Sequence, residues 1–452
     1  MNESELLTRA RAEEIFGLVQ QAARAEGVAD IEAMMGAGSS ALTRFANNTI
    51  HQNVAERGAY ISVRALIDGR TARANSNRFD PDSLRRVTQE AIAITRLQAP
   101  DPELLPLPGP QPAAGVDRLF GSTAAATPAT RAGAVRDAIA IVESASLTAA
   151  GIYSTNESAF AILNSAGLFD YYCETMAQFS ITAIGADSSG WAKESSCDVA
   201  ALDTQALARR AAQKASASTH PAGLPAGRYT VILEPAAVLD MVGQMMGDFS
   251  ATAVEDGRSF LAGRTGEKLF GENISIADDV YHPAQSGAPF DGEGVPRQRL
   301  PLVERGVIGK LTYSRQAARK AGTEPTGHGL PLPNEYGEAP ANIVIAGGDS
   351  TVDQMIASTR RGLLVTRLWY IREVDPYQKI MTGMTRDGTF LIESGQIAGG
   401  VRNFRFNQSL VELLCNVEAL SAPVRSSGEE AFDMVVPAMK VNEFHFTEVT
   451  KF

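Results

Sequence analysis

Length, composition and charge set the first limits on what this protein can be. The chain has 452 residues, of which 44% are hydrophobic and 21% are charged, as in a globular protein of about two or three domains. Its formal net charge of −11 argues against a primary role in binding DNA or RNA, which depends on clustered cations. We also expect no signal peptide and no membrane span, since no apolar run reaches the roughly 18 residues that a spanning helix needs.

Three cysteines lie far apart along the chain, at positions 173, 197 and 415. Their odd number and wide spacing fit neither a disulfide framework nor a paired metal motif. We therefore expect Cys173, Cys197 and Cys415 to be small buried hydrophobic side chains, and we expect the protein in the reducing cytoplasm.

The first part of the chain predicts helices at both ends of a run of strands. Residues 4–26 carry apolar side chains at helical spacing, which predicts an amphipathic helix. Period-two alternation then predicts strands from residue 31 onward, with a hairpin turn at Asp68 and Gly69. A second helix is predicted over 80–97, because an Asp-Pro pair opens it. The Pro-rich stretch 99–115 is expected to be a connector.

The same order of elements then recurs. A helix is predicted over 127–145, strands over 160–185 and another helix over 203–217. Helix, meander and helix therefore occur twice, in 1–98 and 116–217, which suggests an internal duplication. An ordinary α+β domain without duplication would give the same pattern.

Beyond a break at 218–227 the chain consists mostly of predicted strands and turns. Hairpins are expected around Gly306 and Gly395, since glycine permits the positive φ that tight turns need. Few crossover helices are predicted, which favours antiparallel pairing. We therefore predict an α+β fold, with an N-terminal α+β domain over 1–220 and a strand-rich, mostly antiparallel domain over 221–452.

One further helix is predicted in the second domain, over 349–366. Asp349 and Ser350 are typical of a helix start, and Gly362 is typical of a helix end.

The segment GAGSSA (36–41) is a weak match to a dinucleotide-binding motif. That motif must open a helix, so that main-chain N–H groups meet the pyrophosphate. The residues that follow, LTRFANNTIHQ, predict a strand and a turn instead. No nucleotide cofactor is therefore expected.

None of the five histidines has a second His or Cys at the spacing of metal ligands. His328 lies in the Gly- and Pro-rich loop EPTGHGLPLPN, and such loops often carry functional side chains, so it is the first histidine to test. A turn histidine without chemistry is the simpler interpretation. The carboxylates in 276–279 and 291–294 lack calcium-loop spacing, and no Gly-x-Ser-x-Gly nucleophile motif is present.

Three longer stretches, 41–91, 289–329 and 388–420, together resemble one known family. This is the TldD/PmbA family, also called peptidase U62 or "modulator of DNA gyrase". The resemblance implies a cytoplasmic, heterodimeric peptidase that encloses unfolded peptide in an internal cavity. It also implies two subunit types. A TldD-like subunit binds the catalytic metal through a His-Glu-x-x-x-His helix and a distant Cys, and a PmbA-like (TldE) subunit lacks these ligands.

The resemblance places the metal helix on AAVLDMVGQMMGDFSA (236–251) and the distant Cys near 424–432. The positions of the first His, the Glu and the second His are held by Leu239, Asp240 and Gln244. The distal segment contains Ser426 and Ser427 but no Cys. Leucine has no lone pair for zinc, and glutamine is a poor ligand beside imidazole or thiolate. No metal is therefore expected in this chain, and zinc is expected in the presumed partner subunit.

What is left of this segment is apolar. Leu239, Val242, Gly243 and Met246 follow helical spacing, which is typical of a packing helix.

Three hypotheses about function follow. The first is a non-catalytic PmbA/TldE-like subunit that pairs with a TldD-like, metal-bearing subunit, or with itself, and helps to enclose unfolded peptide. The second is a metal-dependent peptidase in its own right, whose ligands would come from His328, His282, Asp240 and Glu255. The third is a homo-oligomeric protein-binding module of the gyrase-modulator type.

Overall fold

The computed structural model describes residues 3–450, and within them the chain forms ten α-helices and nineteen strands. This mixture confirms the predicted α+β class. The helices are α1 (Arg9–Ala25), α2 (Pro81–Leu97), α3 (Gly121–Ala124), α4 (Pro128–Ser144), α5 (Thr204–Ala217), α6 (Pro235–Val242), α7 (Ala251–Glu255), α8 (Arg315–Ala321), α9 (Val352–Ala357) and α10 (Leu410–Cys415). Two 3₁₀ helices span Val199–Ala201 and Gly243–Phe249.

The strands of the first half are β1 (Asp30–Ala46), β2 (Thr49–Ile67), β3 (Arg70–Ser76), β4 (Thr148–Asn164), β5 (Phe169–Ile184) and β6 (Ser189–Ser196). Those of the second half are β7 (Gly227–Leu233), β8 (Ile276–Asp278), β9 (Leu300–Glu304), β10 (Val307–Ile308), β11 (Ile343–Ile345), β12 (Arg361–Asp375), β13 (Ile380–Glu393), β14 (Gln396–Gly400), β15 (Phe404–Ser409), β16 (Val417–Leu420), β17 (Val424–Ser426), β18 (Met434–Val436) and β19 (Met439–Val449).

The first half is one antiparallel sheet with the strand order β3-β2-β1-β4-β5-β6. Each of the two proposed repeats contributes a helix, three consecutive strands and a helix, and the two meet where β1 pairs with β4. Helices α1 and α2 bury their apolar side chains against one part of the sheet, and α4 and α5 against the other. The duplication itself stays a prediction.

Helix α1 begins later than predicted. Thr8 is its N-cap and accepts a hydrogen bond from the N–H of Arg11, so residues 4–8 lie outside the helix. The segment 36–41 lies inside β1, as expected from the residues that follow it, and 99–115 forms neither helix nor strand.

The predicted helix over 349–366 is wrong at both ends. Its N-cap is Thr351, which forms a capping box with Gln354, in place of Asp349 and Ser350. Gly362 does not end the helix. It lies in β12, where an added Cβ would be 2.5 Å from the carbonyl oxygen of Thr230.

All three predicted hairpins are confirmed. Asp68 with Gly69, Arg305 with Gly306, and Ser394 with Gly395 each form a two-residue turn in which both residues have positive φ. This is the backbone geometry that matches the twist of paired strands.

The cysteine expectation is only partly right. Cys173 is buried, but Cys197 is half-buried and Cys415 is exposed, with its thiol donating to the carbonyl of Leu269 at 3.0 Å. No disulfide joins the three.

The second half contains two sheets. One has the order β10-β9-β8-β11-β18-β17. In the other, β12, β7, β19, β15 and β13 pair in turn, and β12 also pairs with β13, so these five strands close into a ring. Most pairs are antiparallel, although β7 with β12 and β11 with β18 are parallel. Helix α6 follows β7 directly and shares one apolar core with both sheets.

Between residues 3 and 450 we find no helix that is both long enough and apolar enough to cross a membrane.

Candidate functional site

Helix α6 carries the segment where the resemblance places a metal-binding helix. Pro235 is its first residue, a position where the missing N–H costs nothing. Every residue from 236 to 242 is buried, so the helix is packed on all sides and has no open face. The predicted stripe is buried at Leu239, Val242 and Met246, and Gly243 begins the 3₁₀ helix that continues the chain.

The segment 428–431 lies directly over α6. The Oδ1 atom of Asp240 accepts hydrogen bonds from the N–H groups of Glu429 and Glu430 at 3.1 and 3.0 Å. The Nε2 atom of Gln244 donates to the carbonyl oxygens of Asp240 and Glu430, both at 3.1 Å. At Gly428 an added Cβ would overlap the side chains of Asp240 and Leu239, so only glycine allows this close approach. Main chain therefore fills the space in front of the motif residues.

These residues do not fit a metal ion. Leu239 offers no donor atom, and the amide of Gln244 is already engaged with two carbonyls. The segment expected to hold the distant ligand does reach α6, but its Ser427 hydroxyl pairs with the hydroxyl of Ser195 at 2.9 Å. One oxygen of Asp240 is also occupied by N–H groups. No step of chemistry can be assigned to a metal at this position.

Asp240 is the one motif residue whose electrostatics are unusual. Its side chain is fully buried, and its Oδ2 atom has no hydrogen-bond partner among the described residues. Burial raises the pKa of Asp240 to about 6, although the N–H groups of Glu430 and Glu429 and the charge of Arg367 act in the opposite direction. When one oxygen of a buried carboxylate has no hydrogen-bond donor, the negative charge is poorly stabilised.

The same loop positions an exposed aromatic side chain. The carboxylate of Glu430 accepts hydrogen bonds from the N–H groups of Tyr370 and Ile371 at 2.7 and 3.2 Å. Tyr370 has a φ of 55°, which is uncommon for a bulky residue, and its ring is half exposed beneath the Arg372 guanidinium at 4.5 Å. Asp240 therefore binds the main chain of Glu430, and the side chain of Glu430 binds the main chain of Tyr370. Sequence reasoning missed this chain of contacts.

A cavity of about 390 Å³ opens beside the end of the motif segment, and Gln244, Tyr336 and Lys379 are among its lining residues. Lys379 is almost completely buried and lies 2.6 Å from both Asp248 and Glu373. Burial raises the pKa of Asp248, and Lys379 limits that increase. The Lys379 ammonium in this wall is therefore already paired with two carboxylates.

His328, the histidine marked for testing first, has no exposed side-chain surface. Its Nε2 atom lies 3.2 Å from Oδ1 of Asp278, and its Nδ1 atom lies 2.9 Å from the hydroxyl of Thr326. Burial would raise the pKa of Asp278, but His328 and then Arg297 lower it below the usual value. The pair ties the loop to β8, which is a structural role.

The residues considered for an atypical metal site are not brought together. His328 is paired with Asp278, His282 is half-buried elsewhere, Asp240 lies under 428–431, and Glu255 is exposed. Within residues 3–450 no group of three or more His, Cys, Asp and Glu side chains could hold a metal ion. The geometry gives this hypothesis no support.

Comparisons with known proteins agree on one family. Models of the first, central and C-terminal domains of PmbA/TldA metallopeptidases match residues 32–95, 124–219 and 226–448. The chain is 22% identical over 402 residues to "Metalloprotease PmbA" of Escherichia coli O157:H7, covering 84% of this chain and 85% of that protein. It is 28% identical over 291 residues to a "Metalloprotease" of Methanothermobacter thermautotrophicus, of whose length it spans 62%.

A solved structure has the same fold. The crystal structure of TldE from Thermococcus kodakarensis superposes with a TM-score of 0.86 at 21% identity, covering 96% of this chain and 99% of that one. The domain matches follow one another in order along most of the chain, and together they confirm the resemblance: this chain belongs to the PmbA/TldD family of metallopeptidases.

Proposed function

We propose that this chain is a non-catalytic, PmbA/TldE-like subunit of a cytoplasmic TldD/PmbA-type peptidase. The observation that supports the proposal is the main chain of residues 428–430, which packs directly against Asp240 and Leu239 of α6. A subunit built this way contributes no metal chemistry at this site. Its zinc-bearing counterpart would be a TldD-like chain.

A second observation supports a contact role for the surface near this segment. Tyr336 borders the cavity beside Gln244 and is 70% exposed, and Tyr370, held by Glu430, is 52% exposed. Tyrosine combines a large apolar ring with a polar end, which suits a surface that meets another chain. These two tyrosines would meet the partner subunit or the enclosed peptide.

The proposal is tested by purifying the isolated chain and measuring its metal content by elemental mass spectrometry. We expect no stoichiometric zinc and no cleavage of an unfolded peptide, with or without added zinc. A TldD-like chain that has the intact His-Glu-x-x-x-His segment, purified identically, is the matched control and should retain zinc. Mixing the two chains should give a complex of both with peptidase activity.

Two results would contradict the proposal. One is a bound metal ion on the isolated chain whose removal by chelation abolishes cleavage by that chain alone. The other is the absence of any complex with a TldD-like chain from the same cell.

A further inference from the structure

The outer edge of strand β2 is open over a long stretch. Strand β1 pairs with β2 over nearly its whole length, from Thr49 to Leu66. On the other side β3 pairs only with residues 61–67. In the part of the chain that the structure describes, no strand lies outside residues 49–60, and most of their side chains are exposed. Such an edge presents unpaired main-chain groups to another chain.

The register shows which groups face outward. A two-residue turn at Asp68 and Gly69 makes Ile67 and Arg70 the closing pair, which exchanges hydrogen bonds. Beyond the register shift near Arg44 and Phe45, main-chain groups of the odd-numbered β2 residues from 53 to 67 therefore point away from β1. The same alternation predicts that Ile31 of β1 points away from β2, and its carbonyl does accept from the N–H of Ser165. The outward-facing residues of the open edge are Asn53, Ala55, Arg57 and Ala59.

The second half of this sheet shows how an equivalent edge is covered. Strand β5 is paired by β6 only over residues 177–184. Just before that stretch, the N–H of Thr175 donates to the carbonyl of Arg118 at 2.9 Å, and Arg118 forms a parallel bridge with Glu174. An extended piece of the chain itself therefore covers the edge of β5. Among the described residues, β2 has no such cover.

We infer that residues 53–59 of β2 bind an extended peptide segment as an added strand. The inference rests on the proposed function and assigns this edge a part in its peptide binding, through the main chain of the peptide. The cover on β5 supports this occupant, since it is extended chain and not a helix. Strand addition of this kind gains affinity from main-chain hydrogen bonds and specificity from side-chain pockets.

The side chains of the edge predict weak sequence preference. Residues 51–53 and 55–58 are exposed, so no deep pocket accompanies the strand. Glu56 and Arg57 are neighbours of opposite charge, so the edge has no net charge with which to select acidic or basic peptides. Binding should therefore depend little on salt.

The test measures binding of the isolated full chain to a fluorescein-labelled 12-residue peptide of alternating Ser and Val with a Lys at each end. Ala55→Pro and Arg57→Pro each remove an outward N–H and leave the pairing with β1 in place. We expect each to weaken binding about tenfold, as measured by fluorescence anisotropy. Ala55→Ser keeps the N–H and should bind as tightly as the unchanged chain.

A second peptide series tests the inference without changing the protein. A peptide N-methylated at every residue should lose binding, whereas peptides N-methylated at every second residue, in either frame, should keep most of it, because a free peptide can shift by one residue and turn its remaining N–H groups toward β2. Undiminished binding of the fully N-methylated peptide, or no binding by the unchanged chain, would overturn the inference. The inference would also be overturned if the unchanged chain formed a dimer and only the proline variants failed to form it, because the edge would then join two copies of the chain. None of these results alters the metal and partner tests of the proposed function.

Discussion

Two buried carboxylates hold loops beside the motif segment, and they differ in how completely they are satisfied. Glu338 is 1% exposed and accepts four hydrogen bonds: from the Ser250 hydroxyl, from the N–H and the hydroxyl of Thr252, and from the N–H of Ser314, at 2.7 to 3.2 Å. Asp240 is 0% exposed and uses only one of its oxygens.

Glu338 is a fully hydrogen-bonded carboxylate, whereas Asp240 is an incompletely hydrogen-bonded one. A buried carboxylate is costly unless donors replace the water that it loses. Glu338 has such donors on both oxygens, whereas the pKa of Asp240 rises to about 6 because burial exceeds the help of two N–H groups. Asp240 is also at the position that the resemblance gives to the Glu of the His-Glu-x-x-x-His motif. Main chain packs against Asp240 without giving its carboxylate a full set of partners.

The largest effect on stability should come from removing the carboxylate of Glu338. Glu338→Ala leaves the buried N–H of Ser314 and the half-buried N–H of Thr252 without an acceptor, and a buried N–H without an acceptor costs about 1–3 kcal/mol. We expect the free energy of unfolding to fall by about 4 kcal/mol, as measured by urea denaturation. Glu335→Ala removes an exposed carboxylate three residues away and serves as the control. A loss below about 1 kcal/mol in Glu338→Ala would show that the four hydrogen bonds contribute little.

A smaller effect is expected where the loop meets α6. In Gly428→Ala the added methyl overlaps the side chains of Asp240 and Leu239, so the segment 428–430 must move. Overpacking of this kind costs about 2 kcal/mol. Unfolding measurements should show that loss.

The matched control for this substitution is Gly17→Ala in α1. Its added Cβ has no neighbour within 4 Å, and alanine favours a helix interior, so stability should rise slightly. Equal effects of the two substitutions would contradict the close approach at Gly428.

Sequence reasoning found the parts of this site that depend on residue type. Leucine at 239 has no lone pair for zinc wherever it lies, and glutamine at 244 is a poor zinc ligand. Residues 429 and 430, within the segment that the resemblance gives for the distant Cys, contact Asp240 and Gln244. The hairpins at Gly306 and Gly395 were predictable because a tight turn requires positive φ at the turn residue itself, which glycine adopts readily. Local chemistry of this kind is readable from the sequence.

The misses depend on contacts between distant residues. The bond from Glu430 to Asp240 joins positions 190 apart, and no periodicity indicates it. The prediction of a helix end at Gly362 is wrong because nothing local shows that this residue lies against Thr230 in a sheet. Alternation predicted β2 as a strand but could not show which of its edges stays open, since that depends on where β3 ends.

The smallest effect expected is a change in how the free energy of unfolding depends on pH, and it comes from Asp240. Because the pKa of Asp240 is higher in the folded chain than its unfolded value of about 4, its contribution to stability is complete below that value and is lost as pH rises through about 6. Asp240→Asn removes this titration and keeps an oxygen that accepts the N–H groups of Glu429 and Glu430. Unfolding free energies measured between pH 5 and pH 7.5 should fall by about 1 kcal/mol more in the unchanged chain than in the variant.

Only the difference between the two pH curves is diagnostic. Asp170, whose pKa is also raised to about 6 by burial and by Asp291, titrates in both proteins and cancels from the difference. Parallel curves would mean that Asp240 is as well compensated as Glu338. The two carboxylates would then be equivalent structural contacts.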